Sequence, residues 1–166
     1  MLTRVVGICS IALLGFTLTG CASQPSAQQA SHEMSAQNGI VAAKSRYAMD
    51  ETLARLKQDI AAKGLMFFQA VDQSQLANAA GVELRPSILL EFGNPGLGGQ
   101  FMTANPQSGI DWPVRLLVFQ DRNGQVWVEY TDFGYIAKRH AIADRDPQFK
   151  MASEVIASIA SSVTTQ

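Results

Sequence analysis

Two carboxylates, one arginine and one asparagine are the residues of this chain whose types and spacing suit chemistry best. Glu91 and Asp111 lie at the two ends of a connection rich in glycine and proline, and Arg115 follows Asp111 closely. Paired carboxylates can share general acid and base work, and an arginine can hold an anion. Asn94 stands in the Gly-Asn-Pro turn that would roof a pocket there. We therefore take Glu91, Asn94, Asp111 and Arg115 as candidate ligand-binding residues.

The role of Arg115 depends on which face of its predicted strand it occupies. If the following hairpin loop has an even number of residues, strand alternation places Arg115 on an otherwise apolar face. The other members of that face are Leu117, Phe119, Val126, Val128 and Tyr130. One interpretation is a structural ion pair with Glu91 or Asp111, or a guanidinium that reaches water. The other is an anion-binding arginine at the mouth of a pocket under the Asn94 turn.

The connection itself, residues 93–112, is longer than an ordinary loop in a compact domain. It either folds on itself, with about one helical turn over residues 100–104, or binds something. Glycine-rich turns can aim backbone N–H groups at an anion. A P-loop is excluded because Gly99 and Gln100 stand where lysine and serine or threonine are needed. The dinucleotide fingerprint also fails, because Phe101 occupies the position of its third glycine.

Other catalytic and metal-binding patterns are weak. His140 is the only histidine after residue 39, and its place after Lys138 and Arg139 near a helix end predicts that it faces solvent. No Ser-His-Asp order, zinc spacing or calcium loop is present in the sequence. We therefore expect neither a metal nor a cofactor. Trp112 and Trp127 are predicted to pack against the sheet rather than to stack on a ligand.

The amino terminus carries a signal of another kind. Residues 1–20 combine Arg4 with an apolar run over residues 5–18, which is too short to span a bilayer of about 20 helical residues. The segment Leu18-Thr19-Gly20-Cys21 resembles the lipobox of bacterial lipoproteins. The resemblance implies a lipoprotein signal peptide over 1–20 and lipidation of Cys21, which would become the mature amino terminus. The alternative is ordinary cleavage beside Cys21, which would leave a soluble periplasmic protein.

A lipidated Cys21 would tether the chain to a membrane, because two or three acyl chains anchor far better than one. Residues 21–39 are rich in Ser, Gln and Ala and are predicted to form a flexible linker. We expect a lipid-anchored protein of the bacterial cell envelope. Ala22 rather than aspartate, by analogy with enterobacterial sorting, favours the outer membrane.

Composition and charge limit the remaining classes. Of 166 residues, 47% are hydrophobic and 16% are charged, which is typical of a globular chain. Loss of Arg4 with the signal leaves 12 basic against 14 acidic side chains, and no basic run is present. Nucleic acid is therefore not an expected partner. Cys9 leaves with the signal and Cys21 carries lipid, so no disulfide is expected.

Hydrophobic periodicity predicts the elements that must position the candidate residues. Early strands and helices alternate and a hairpin comes late, which indicates an α+β fold with a small mixed or antiparallel sheet and helices on one face. Residues 40–166 would form this single domain. The predicted strands are 40–47, 65–71 and 87–92, the latter two buried, and a hairpin of 115–120 and 125–130.

The predicted helices have recognisable ends. Asp50 is expected to cap a helix over 51–63 that stops at Gly64, and Ser74 to cap a short one that stops at Gly81. Asp132 would cap a helix over 133–140, and Asp146 a last helix that runs to about residue 163. On that helix Met151 and Val155 form a second apolar strip, which is either core or a contact with another subunit.

Several short motifs in this domain point to one known family. They are Asp50-Glu51-Thr52 with Leu53 and Leu56, Lys63-Gly64-Leu65, Val71-Asp72, Ala77, Gly81-Val82-Glu83-Leu84-Arg85-Pro86, Phe92-Gly93-Asn94-Pro95 and Pro113-Val114-Arg115. Together they resemble the bacterial and archaeal family called domain of unknown function 302, over about residues 41–140. The resemblance implies a small α+β domain, often dimeric, without an agreed activity. Members often carry Asp-His where this chain has Asp72-Gln73.

Three hypotheses for function follow. The first is a lipid-anchored envelope module that binds a small ligand or an envelope protein without catalysis. The second is a hydrolase-type enzyme in which Glu91 or Asp111 acts as general base while Arg115 positions an anionic substrate. The third is a structural homodimer of the envelope that uses the strip of Met151 and Val155.

Overall fold

The computed structural model describes residues 38–164. The signal peptide, Cys21 and nearly all of the expected linker lie outside the described residues. No helix within the described range is long and apolar enough to cross a bilayer. In chain order the elements are β1 (Ile40–Lys44), α1 (Met49–Ala62), β2 (Met66–Asp72), α2 (Gln73–Ala79), β3 (Ser87–Gly93), α3 (Pro95–Ala104), a 3-10 helix (Pro106–Asp111), β4 (Val114–Gln120), β5 (Val126–Thr131), α4 (Phe133–Arg139) and α5 (Asp146–Ser161).

The five strands form one antiparallel sheet in the order β1-β5-β4-β3-β2. The β4–β5 hairpin turns at Asp121, whose Oδ1 accepts hydrogen bonds from the backbone N–H groups of Asn123 and Gln125. Gly124 supplies the positive φ of 83° that this turn requires. The α+β prediction is confirmed, with a sheet that is antiparallel throughout.

One face of the sheet is buried beneath helices. Its strands contribute Leu90, Phe92, Leu116, Val118, Val126 and Val128. The helices that cover this face add Leu56 and Ile60 from α1, and Phe149, Ile156 and Ile159 from α5. The opposite face, which we call the open face, carries mainly half-buried or exposed side chains from the alternate positions of the same strands. The predicted packing of helices on one face is therefore confirmed.

The β5 residues predicted to share a face with Arg115, namely Val126, Val128 and Tyr130, are wrong, whereas Leu117 and Phe119 do share it. The prediction assumes an even number of residues in the loop between β4 and β5, but the loop covers residues 121–125, which is an odd number. Each side chain of β5 therefore lies on the face opposite to the predicted one. The strand register pairs Leu116 with Tyr130 and Leu117 with Glu129. Arg115 therefore shares the open face with Leu117 and Glu129, while Val128 and Tyr130 lie on the opposite face.

The predicted burial of the strand after Gly64 is also wrong. β2 is an edge strand, and Met66, Phe67 and Phe68 are 52%, 40% and 44% exposed. Apolar composition alone does not distinguish an edge strand from a central one, because only the strand order decides how many neighbours a strand has. β2 also contains a register shift between Phe67 and Gln69.

Several helix ends match the predictions, while three caps differ. Gly64 has φ 66° and Asp132 caps α4 by accepting a hydrogen bond from the backbone N–H of Tyr135 at 2.8 Å, both as expected. Asp72 rather than Ser74 caps α2. Asp50 and Asp146 lie inside the first turns of α1 and α5 instead of capping them. Acidic groups there still favour the helix because its N-terminus is electropositive.

Residues 93–112 fold on themselves rather than forming an open loop. α3 spans ten residues, twice the predicted turn, and the 3-10 helix follows it. Asn94 caps α3 by accepting a hydrogen bond from the backbone N–H of Leu97 at 3.1 Å, and Asn105 caps the 3-10 helix in the same way through Gln107. Glycine lowers helix propensity, yet the burial of Phe101 and Gly98 holds α3 against the core.

Candidate functional site

An apolar cavity of about 210 Å³ lies beneath the Asn94 turn. It is bordered by the ends of β3 and β4 and by α3, α4 and α5, and it is partly open to solvent. Eleven apolar side chains line it, among them Phe92, Leu97, Phe101, Trp112, Met151 and Ile156. Lys63 and Asn94 are its polar side chains. We call this space the inner cavity.

Phe101 and Phe133 form one wall of the inner cavity, and both rings pack on Phe149 behind them. The rings of Phe101 and Phe149 stack with their centroids 4.2 Å apart, and Phe133 lies 6.3 Å from Phe101. Such pairs prefer offset or tilted arrangements and contribute about 0.5–1.5 kcal/mol beyond their buried area. The wall therefore joins α3, α4 and α5 into one packed unit.

Trp112 forms a second wall and rests on two glycines. A Cβ atom placed on Gly98 would lie 2.5 Å from the indole ring, and one on Gly93 would lie closer still. The ring of Phe68 meets the indole edge to face at 6.5 Å. Because neither glycine has a side chain, the indole ring of Trp112 can pack directly on both residues beside the cavity. We call these two residues the glycine seat of Trp112. Trp112 packs on Gly93 of the sheet, as predicted, and also lines the cavity.

The one cation at the inner cavity is already paired. Lys63 Nζ lies 3.1 Å from Asp59 Oδ1 one helical turn earlier. The ammonium and the carboxylate compensate each other, so this side of the cavity carries little net charge.

A second space, the outer cavity, adjoins the inner one and measures about 370 Å³. The two share Asn94, Leu97 and Met151 in their linings. Carboxamide groups distinguish the outer cavity, since Gln100 and Gln148 line it together with Asn94. Gln148 Nε2 donates a hydrogen bond to Gln100 Oε1 at 3.0 Å. Met151, which is 56% exposed, thus stands between the two spaces rather than in the core.

The prediction that His140 faces solvent is wrong. Its residue is 7% exposed, and its Nε2 lies 2.6 Å from Oδ2 of Asp111, whose side chain is 8% exposed. Asp111 Oδ1 also lies 3.2 Å from Arg139 Nη1 and 3.5 Å from Arg115 Nη2. Asn105 Nδ2 completes the cluster by donating a hydrogen bond to the carbonyl of His140. The 3-10 helix therefore covers the end of α4 and buries His140. The sequence of α4 alone does not predict this contact, because the covering residues come from another segment of the chain.

The structure places the four candidate residues in two separate regions. Asn94 lines both cavities. Glu91 lies on the open face opposite Arg115 in the strand register, and its Oε2 accepts a hydrogen bond from Gln69 Nε2 at 2.7 Å. Arg115 is 45% exposed and donates a hydrogen bond to the carbonyl of Ile110 at 2.6 Å. The ion pair of Arg115 with Asp111 corresponds to the structural interpretation of this arginine, and neither residue lines the two cavities.

Glu129 and Asp121, which line neither cavity, have shifted pKa values. Burial raises the pKa of Glu129, which lies on the open face between β1 and β4. The indole N–H of Trp127, which donates to Asp121 Oδ2 at 3.0 Å, lowers the pKa of Asp121. Within residues 38–164 no three His, Cys, Asp or Glu side chains are arranged to hold a metal ion.

Comparison with known proteins identifies the family. The family model described as "Domain of unknown function DUF302" matches residues 41–163. The chain belongs to the DUF302 family. The match extends past residue 140, where the motif resemblance stops, and includes α5. The DUF302 domain of this chain therefore contains every element that encloses the two cavities.

A solved DUF302 protein has the same fold. The crystal structure of an uncharacterized conserved DUF302 protein from Bacillus stearothermophilus aligns with a TM-score of 0.69 at 17% identity. The alignment covers 75% of this chain and 98% of the Bacillus chain. Since almost the whole Bacillus chain is accounted for, the DUF302 fold forms there without a counterpart of the remaining quarter of this chain.

Curated relatives with sequence similarity are proteins named fluoride-specific ion channels. FluC 1 of Brucella suis is 34% identical over 105 residues, which is 63% of this chain and 41% of the relative. FluC 1 of Brucella abortus and FluC 2 of Brucella melitensis match at the same identity over 39% of their length. This chain therefore spans about two fifths of the curated relatives that it matches.

Proposed function

We propose that this DUF302 protein is a lipid-anchored cell-envelope protein whose domain binds a small, largely apolar ligand without catalysing its conversion. The inner cavity is the observation that carries the proposal. A cavity of about 150 Å³ lined by Leu, Ile and Phe stays dry and takes up benzene, and the inner cavity is larger at about 210 Å³. An apolar molecule somewhat bigger than benzene would gain packing contacts with this apolar lining.

The chemistry of the lining supports binding rather than catalysis. General acid and base work requires a titratable group within hydrogen-bond reach of the substrate. The linings of the two cavities contain no carboxylate, histidine, cysteine, serine or threonine side chain. Lys63 is the one titratable group there, and its ammonium is paired with Asp59.

A thermal-shift screen of small apolar and amphiphilic compounds tests binding. The protein is the chain from residue 22 onward, which retains all the described residues. A compound that raises the melting temperature without being converted supports the proposal, because a ligand that binds only the native state stabilises it. Turnover of that compound would favour the hydrolase hypothesis instead. A melting temperature that depends on protein concentration, with no ligand found, would favour the homodimer.

The anchor is a separate part of the proposal and has its own test. The pattern Leu18-Thr19-Gly20-Cys21 supports lipidation at Cys21 and a location in the cell envelope, at the outer membrane. Metabolic labelling with radioactive palmitate is expected to label the mature protein and not the Cys21→Ser variant. An unlabelled mature band would exclude the anchor and leave the binding proposal in place.

A further inference from the structure

We infer that the ligand is an amphiphile whose apolar body fills the inner cavity and whose uncharged, hydrogen-bonding head group lies in the outer cavity. This inference rests on the proposed binding function and names the chemical class of ligand. The geometry permits one molecule to occupy both spaces, because Asn94, Leu97 and Met151 belong to both linings.

The outer cavity offers both donors and acceptors without a charge. Asn94 Oδ1 is occupied by the backbone N–H of Leu97, so the amide donor Nδ2 remains for a ligand. Gln148 Oε1 is a buried acceptor without a hydrogen-bond partner in the described part of the chain. A ligand donor would pair with this oxygen once the Gln148 side chain turns toward the outer cavity, because the oxygen is buried in the structure. Amide and hydroxyl heads carry such a donor and an acceptor together.

Charge at the two cavities disfavours an ionised head group. No charged side chain lines the outer cavity, so an ionised head group would gain no ion pair there. At the inner cavity an anionic head would compete with Asp59 for Lys63. A cationic head would face the Lys63 ammonium. An uncharged head matches the carboxamide groups of the outer cavity without these conflicts.

The test compares three probes with similar alkyl chains and different heads. They are N-hexylacetamide, heptanoate and hexylammonium, titrated into the chain from residue 22 onward. Trp112 lines the inner cavity, so its fluorescence reports occupancy, and a Trp127→Phe background removes the signal of the open face. N-hexylacetamide is expected to bind about tenfold or more tightly than either ion, a difference of about 1.4 kcal/mol.

Matched variants locate the head group. Gln148→Met retains chain length and removes the amide, so it should weaken N-hexylacetamide about fivefold or more and leave heptanoate unchanged. Gln58→Met, at an exposed position of α1 that belongs to neither lining, is the control and should change neither affinity. Melting temperatures of both variants establish that they are folded.

The outcomes separate the inference from the binding function. Heptanoate binding that equals or exceeds that of N-hexylacetamide, and that is lost in Lys63→Gln, would overturn the uncharged head and leave a binding protein. Equal affinity of Gln148→Met and the parent for N-hexylacetamide would also overturn it. If none of the probes binds, the inference fails. The binding function fails with it only when the thermal-shift screen is also empty.

Discussion

Asp111 and His140 form a buried pair in which the carboxylate Oδ2 lies 2.6 Å from the imidazole Nε2. The pair joins the 3-10 helix to the end of α4 and fixes the residue that precedes Trp112. Asp111→Ala is expected to destabilise the domain by about 2–4 kcal/mol, because it leaves buried His140 without its acceptor and Arg139 without its carboxylate. Urea denaturation of both proteins measures the difference.

A surface pair supplies the comparison for this prediction. Asp144 is 67% exposed and lies 2.6 Å from Arg145, and Asp144→Ala should change stability by less than about 1 kcal/mol. A double-mutant cycle over Asp111 and His140 should yield a coupling energy of about 0.5–3 kcal/mol. A coupling energy of zero would mean that the two side chains contribute to stability independently.

The glycine seat of Trp112 predicts opposite effects at adjacent positions of α3. Gly98→Ala should destabilise the domain by about 1–3 kcal/mol, because the new methyl group would overlap the indole ring. Its neighbour Gly99 has no atom within 4 Å of a Cβ position. Gly99→Ala should therefore stabilise the helix by up to about 1 kcal/mol. Thermal denaturation followed by circular dichroism measures both changes.

Fluorescence distinguishes the cause of the Gly98 effect. If the methyl group displaces Trp112, the emission maximum shifts in Gly98→Ala and stays in Gly99→Ala, both in the Trp127→Phe background. Loss of stability with unchanged Trp112 emission would point to a helix defect rather than a displaced indole.

The cap of α3 predicts how Asn94 contributes to stability. Asn94→Ala removes the acceptor for the backbone N–H of Leu97 and should cost about 1 kcal/mol. Asn94→Asp keeps the acceptor and places a negative charge at the helix N-terminus, which is favourable, so its stability should match or exceed that of the parent. Chemical denaturation of the three proteins checks the order, and equal loss in both variants would contradict a capping role.

Glu129 predicts a pH dependence with a defined sign. Burial raises its pKa in the native state, so the native chain retains a proton that the unfolded chain has released. The protonated Glu129 carboxyl group therefore contributes fully to the stability of the native state below the unfolded pKa of about 4.3. This contribution is lost as the pH rises through the higher native pKa. Glu129→Gln should be more stable than the parent at pH 7 and similar to it near pH 4.

Denaturation curves between pH 4 and 8 test the Glu129 prediction. Glu154→Gln, at an exposed position of α5, controls for the change in net charge. The difference between Glu129→Gln and its parent should grow with pH. A difference that stays constant over this range would show that the carboxyl group does not titrate differently in the two states.

Local features of the fold are encoded in short stretches of the sequence. The positive φ of Gly64, the Asp132 cap and the hairpin around Asn123 and Gly124 follow from residue types within a few positions of one another. Alternation and helical spacing place the strands and helices to within a few residues. The family resemblance also rests on short motifs of this kind. The sequence by itself therefore determined the elements and the α+β class.

Relationships between distant residues needed the tertiary structure. The number of residues in one loop decided which β5 side chains share the face of Arg115, and the strand order decided that β2 is an exposed edge. His140 meets Asp111 although the two are 29 positions apart in the chain, and the cavities arise from elements between Lys63 and Ile156. Propensities and caps act over a few residues, whereas register and packing join segments far apart. This is why the sequence determined the elements, while only the fold decided which side chains meet and where a ligand has room.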